Sequence, residues 1–130
     1  MVIWTDMVTK YTEVLSGGGS TSASAKIVQV VWPSNAKVGE GYKWSLLCEM
    51  RNSSERGYGA IVNYKGNPGD MLVKVSGVEK VFRLKPGQCV NIWTTNKVCA
   101  GCRYLFEGTV SFDKPGKYEV YVFAGVPGSI

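Results

Sequence analysis

The sequence predicts an all-β protein, an antiparallel sandwich of about seven or eight strands, preceded by a short amphipathic helix and a flexible linker. Three observations carry this. From residue 26 onward apolar and polar residues alternate with a period of two, the pattern of strands with one face in a core. Turn chemistry (Pro33-Ser34-Asn35, Asn67-Pro68-Gly69-Asp70, Lys85-Pro86-Gly87, Asp113-Lys114-Pro115-Gly116) interrupts that alternation roughly every 8 to 14 residues. A helical period is confined to the residues before Ser16.

The elements follow in order. Over residues 4–15, Trp4, Met7, Val8, Tyr11, Val14 and Leu15 fall on one helical stripe, with Thr5, Asp6, Lys10, Thr12 and Glu13 opposite. Thr5 or Asp6 can cap the start and Gly17 stops it. A helix of about three turns is marginal alone, so the stripe needs a surface to bury against: its own domain, a partner subunit or, less suited by its non-basic polar face, a membrane. SGGGSTSASA (16–25) has no large or charged side chain and reads as a tether of roughly 15–20 Å span. The strands expected after it are 26–32, 42–52, 58–66, 71–77, 78–84, 88–96, 102–112 and 117–126. The second alternates most cleanly, with Tyr42, Trp44, Leu46, Cys48 and Met50 on one face. The chain thus divides into an anchor segment (1–15), a Gly/Ser linker (16–25) and a β domain (26–130).

Three motifs carry a resemblance: Val38-Gly39-Glu40 leading to a strand that ends at Asn52, Leu84-Lys85-Pro86-Gly87 before another strand, and Pro115-Gly116-Lys117-Tyr118-Glu119-Val120 at the close. In these features residues 26–126 resemble the CARDB-like, fibronectin-type-III-like sandwiches of the immunoglobulin fold. The resemblance implies an immunoglobulin-like antiparallel β-sandwich and says little about activity, because its motifs are turn and core chemistry. The Gln88–Phe112 region, with Cys-Ala-Gly-Cys at its middle, is longer than such domains usually have.

Composition narrows the function classes. At 130 residues, 45% apolar and 19% charged, the chain supports one cored domain. The net charge of +5 is scattered rather than concentrated, so a nucleic-acid partner is not expected. No stretch approaches a membrane span, and the N-terminus lacks the basic and apolar regions of a signal peptide, so synthesis in the cytoplasm is expected. The absence of histidine removes the commonest general base and the Ser-His-Asp and Cys-His nucleophile systems. Asp70 and Asp113 sit in turns, and Glu49, Glu107 and Glu119 alternate with apolar residues toward solvent, so no catalytic residue, metal or cofactor is assigned.

Cys99-Ala100-Gly101-Cys102 has the C-x-x-C spacing of a redox motif, half a zinc site or a local disulfide. A tight turn between strands lacks the helix N-terminus that redox activity wants, and zinc would need Cys48 and Cys89 as well. The structural reading is a Cys99–Cys102 disulfide, with Cys48 and Cys89 either paired between neighbouring strands or left as buried thiols. Disulfides in a cytoplasmically made chain point to a thermophilic origin. Trp32, Trp44 and Trp93 lie on strand patterns and are expected in the core.

Two function classes fit. The first is a non-enzymatic structural subunit of a larger assembly, a virion protein (decoration, spike, turret or minor capsid) docking through Trp4, Met7, Val8, Tyr11, Val14 and Leu15 and the sandwich surface. Its partners would be other subunits, including copies of itself. The alternative is a cell-surface or extracellular glycan- or protein-binding module using loop residues Asn52, Tyr58, Asn67 and Asp70. An accessory domain of a larger enzyme is a third possibility.

Overall fold

The computed structural model describes residues 2–3, 9–13, 25–51, 53, 55–94 and 96–125. Every regular element among them is a strand: β1 (Val2–Ile3), β2 (Thr9–Glu13), β3 (Ala25–Val31), β4 (Ala36–Lys37), β5 (Tyr42–Met50), β6 (Tyr58–Asn63), β7 (Met71–Val75), β8 (Val81–Leu84), β9 (Cys89–Trp93), β10 (Arg103–Phe112) and β11 (Val120–Gly125). Eight of these fall within the eight segments expected from residue 26 onward, apart from a start one residue early at Ala25. One sheet has the order β3-β5-β10-β7-β8 and the second β2-β11-β6-β9; β1 and β4 make a small separate pair. All pairings are antiparallel except β2 with β11.

The two sheets share one core. β5 buries Trp44, Leu46, Cys48 and Met50 on alternate positions, β10 adds Phe106, Val110 and Phe112, and β6, β9 and β11 supply Ile61, Val90, Ile92, Val120 and Val122 from the other side. Each large side chain so buried contributes about 1.5–3 kcal/mol relative to exposure. The centre is held tightly: the Trp44 indole N–H is shared between the carbonyls of Lys74 and Thr109, both at 3.2 Å. Gly108 lies between Trp44 and Val75 in the ladder, where a Cβ would run into the Lys74 carbonyl, so a side chain there would push β7 off β10.

The helix expected over residues 4–15 falls mostly outside the described residues. Thr9–Glu13 are extended and paired in register with Val120–Ala124, and Val2–Ile3 pair with Ala36–Lys37. The ladder on β11 pairs one side of the Thr9–Glu13 backbone. Trp4, Met7, Val8, Val14 and Leu15, the remainder of the expected stripe, and the linker residues before Ala25 lie outside the described residues.

The loops gather at two ends. Residues 32–41, 64–70, 85–88 and 113–119 form one, which we call the amide end; residues 51, 53, 55–57, 76–80, 94 and 96–102 form the other, the disulfide end.

Candidate interaction surfaces

The amide end is built on two asparagines. Asn63 is fully buried at the end of β6, and its Nδ2 donates to the carbonyls of Gly69 at 3.1 Å and Leu84 at 2.9 Å, tying the 64–70 loop and the end of β8 to the strand. Asn67 donates from Nδ2 to Asn63 Oδ1 at 2.6 Å and to the Glu119 carbonyl at 2.7 Å, and its Oδ1 accepts from the Glu119 N–H at 2.8 Å. Buried amides are stable only when so satisfied. Beside them the Tyr118 hydroxyl donates to the Lys114 carbonyl at 2.6 Å, four residues back, the corner arrangement found where a sandwich strand follows a loop. Burial, with the nearby Asp113 carboxylate adding to it, pushes the Tyr118 phenol up to about 12. Arg83 bridges Asp70 at 2.8 Å and Asp113 at 3.1 Å, and Asp113 Oδ1 also accepts the Asp70 N–H at 2.7 Å.

This accounting changes the candidate loop residues. Asn67 and Asp70 spend their polar groups on the fold rather than presenting them to a ligand. Tyr58 is not a loop aromatic: it opens β6, is only 3% exposed, and packs against Trp93 with ring centroids 5.4 Å apart. Burial, then the neighbouring Cys89, raises its phenol above the ordinary range. Asn52 lies outside the described residues.

At the disulfide end the structure joins Cys99 to Cys102, with Cα atoms 5.4 Å apart. Gly101, at φ +81°, supplies the left-handed turn residue, and the Cys102 N–H donates to the Cys99 carbonyl at 3.2 Å. The turn is fastened to β5 through Gly101 N–H to the Met50 carbonyl at 2.7 Å and Met50 N–H to the Cys102 carbonyl at 2.9 Å. Cys48 and Cys89, weighed as a second pair, are both free. Their strands belong to different sheets. Cys48 faces the core, where burial pushes its thiol up to about 11, and Cys89 is on the exposed outer face of β9. No group of three or more potential metal ligands converges among the described residues.

The tryptophans divide. Trp44 is in the core and Trp32 is half-buried, its indole N–H without a partner among the described residues. Trp93, expected inside, is 46% exposed, because Val90 and Ile92 take the inward positions of β9. It lines a cleft of about 300 Å³ with Leu105, Tyr104 and Ser76, and Leu105 is 56% exposed. A second cleft, of about 630 Å³, runs between β8 and β9.

The sheet edges differ in how they are protected, and an unprotected edge is a template for another strand. On β3 a bulge between Ile27 and Gln29 interrupts the ladder. On β8 Arg83 and the preceding Lys80 place charge at the edge. The β11 edge is covered by β2. The β9 edge, Cys89-Val90-Asn91-Ile92-Trp93, has no charge, proline or bulge and, among the described residues, pairs on one side alone, with β6. Sequence reasoning missed it, although the alternation of Val90 and Ile92 with uncharged neighbours was its signal.

No helix among the described residues is long and apolar enough to cross a membrane, which leaves strand-built membrane structures unaddressed. Comparison with protein-family models, with curated proteins and with solved structures finds no match.

Proposed function

We propose that the chain is a non-enzymatic structural subunit of a larger assembly, a virion component whose body is an immunoglobulin-like sandwich and whose N-terminal segment is its connector. The tyrosine corner before β11 and the two sheets around one core support the immunoglobulin-like body. The connector reading rests on β2. It is laid in parallel on β11, on an edge that the antiparallel strands leave open, and it reaches β3 through residues 14–24. Addition of a strand to a sheet edge is a common way for one subunit to grip the next, with affinity carried by main-chain hydrogen bonds. Exchange of β2 between neighbouring copies keeps the same Thr9–Glu13 to Val120–Ala124 register while joining two molecules. The segment 14–24, rich in glycine and serine, reaches up to about 35 Å when extended, ample to cross to a neighbour.

Native mass spectrometry of the full chain and of a chain lacking residues 1–13 tests this. The full chain is expected to form oligomers that the shortened chain does not, while both keep the same β circular dichroism. Identical assembly of the two would remove the connector from the reading.

A glycan- or protein-binding module is the second reading, and the cleft beside exposed Trp93 and Leu105 favours it. Saturable glycan binding lost on Trp93→Ala would establish that alternative.

A further inference from the structure

We infer that β9 is a self-recognition edge: two copies of the chain pair their β9 strands antiparallel about a two-fold axis at Asn91, making one sheet continuous across a dimer. The inference extends the assembly reading to a surface separate from β2.

The hydrogen-bond parity of β9 carries the argument. Asn63 N–H donates to the Gln88 carbonyl and Thr94 N–H to the Gly57 carbonyl, so positions 88, 90, 92 and 94 turn their backbone groups toward β6. The N–H and C=O of Cys89, Asn91 and Trp93 therefore point to the open side. Antiparallel self-pairing centred on Asn91 sets Asn91 against its own copy and Cys89 against Trp93 of the second copy. These are all hydrogen-bonded positions, so every outward group on both strands meets a partner in a single register. A shift by one residue would oppose outward groups to inward ones and satisfy none of them.

The side chains agree with that register. Val90 and Ile92, both buried and inward, meet across the axis and continue the core face. Asn91 meets Asn91 on the outer face, where one amide can donate to the other. Trp93, 46% exposed, lies over Cys89 of the second copy, giving its ring a neighbour beyond Tyr58. From Gln88 to Thr94 no residue is charged, so the two paired strands themselves bring no like charges together. The bulge on β3 and the charges at β8 are the devices that discourage this kind of pairing, and β9 has neither.

The test is light scattering and native mass spectrometry of the full chain, with reductant present so that Cys89 cannot link copies covalently, at about 100 µM, above the dissociation constant of a modest interface. A dimer is expected. Asn91→Pro removes an N–H that bonds to nothing among the described residues, so it should leave the fold intact and raise the dimer dissociation constant about tenfold or more. Asn91→Lys, which retains the N–H and adds like charges at the axis, should weaken the dimer similarly. Oxidised Asn91→Cys should become a covalent dimer, since facing Cα atoms about 5.5 Å apart suit a disulfide. A monomer at that concentration, or a dimer indifferent to both Asn91→Pro and Asn91→Lys, would overturn the inference. A dimer that survives loss of residues 1–13 and yields to Asn91→Pro supports it even where the β2 connector fails. A dimer with the opposite response belongs to β2 and rejects β9.

Discussion

The two ends of the sandwich are closed by different chemistry. At the amide end, Asn63, Asn67, Tyr118 and the Asp70–Arg83–Asp113 cluster bind loops to strands through side-chain polar groups, those of the two asparagines buried. At the disulfide end, a covalent turn, main-chain hydrogen bonds and the hydroxyls of Thr94 and Tyr104 do the same work without a buried amide. The difference teaches where energy is stored and which surfaces are left for partners. Buried amides are costly to leave half-satisfied, so the amide end is brittle and its loops are committed to the fold. A disulfide across two intervening residues removes little chain entropy, so the opposite end depends less on its cross-link than the covalent bond implies.

The largest effect should come from Asn67→Ala. It strips a partner from Asn63 Oδ1 and removes one hydrogen bond from the Glu119 N–H and one from its carbonyl, which keeps the Tyr64 N–H, and stability should fall by about 2–4 kcal/mol, read by urea unfolding. A loss below about 1 kcal/mol would mean that the two ends do not differ as described.

Cys99→Ser with Cys102→Ser should cost at most about 2 kcal/mol, the loop being so short. Equal or greater sensitivity here than at Asn67 would reverse the ranking of the ends.

Alkali separates two buried groups. Cys48, raised to about 11, and Tyr118, raised to about 12, are both neutral in the folded chain at pH values where the unfolded chain ionises them. The folded state then holds the extra protons, so stability is full below pH 9 and declines between about pH 9 and 12. Cys48→Ala should flatten the lower part of that decline, worth up to about 2 kcal/mol, though with a lower baseline from the small cavity. Tyr118→Phe should flatten the upper part and cost about 1 kcal/mol at neutral pH. Thermal melts across that range report both.

The smallest effect belongs to Arg83→Gln. The guanidinium is half-exposed, so its two ion pairs should contribute under about 1 kcal/mol, and added salt should shrink that difference further.

Much of this was legible before any coordinates. The alternation in Tyr42–Met50 placed Trp44, Leu46, Cys48 and Met50 on one buried face because side chains of a strand alternate whatever its neighbours. Cys-Ala-Gly-Cys marked a turn because glycine admits the left-handed backbone without cost. The pairing of Thr9–Glu13 was not legible, because the strand they lie against begins at Val120, at the far end of the chain. Tyr58 and Asn67 looked like loop residues because their composition suits loops; their burial comes from Trp93 and Asn63, which only the fold brings beside them. Trp93 was misplaced for a simpler reason. Its hydrophobicity argued for the core, while the parity set by Val90 and Ile92 put it outside.

By itself the sequence determined the all-β class, the strand segments from residue 26 onward and the main turns, since alternation and turn residues act over a few neighbouring positions. The tertiary structure decided which strands lie at the edges, which polar groups are spent on one another, and that β9, among the described residues, is an edge of the two large sheets with neither charge, bulge nor covering strand. Those properties depend on contacts between residues distant along the chain, and local sequence holds no record of who the neighbour will be.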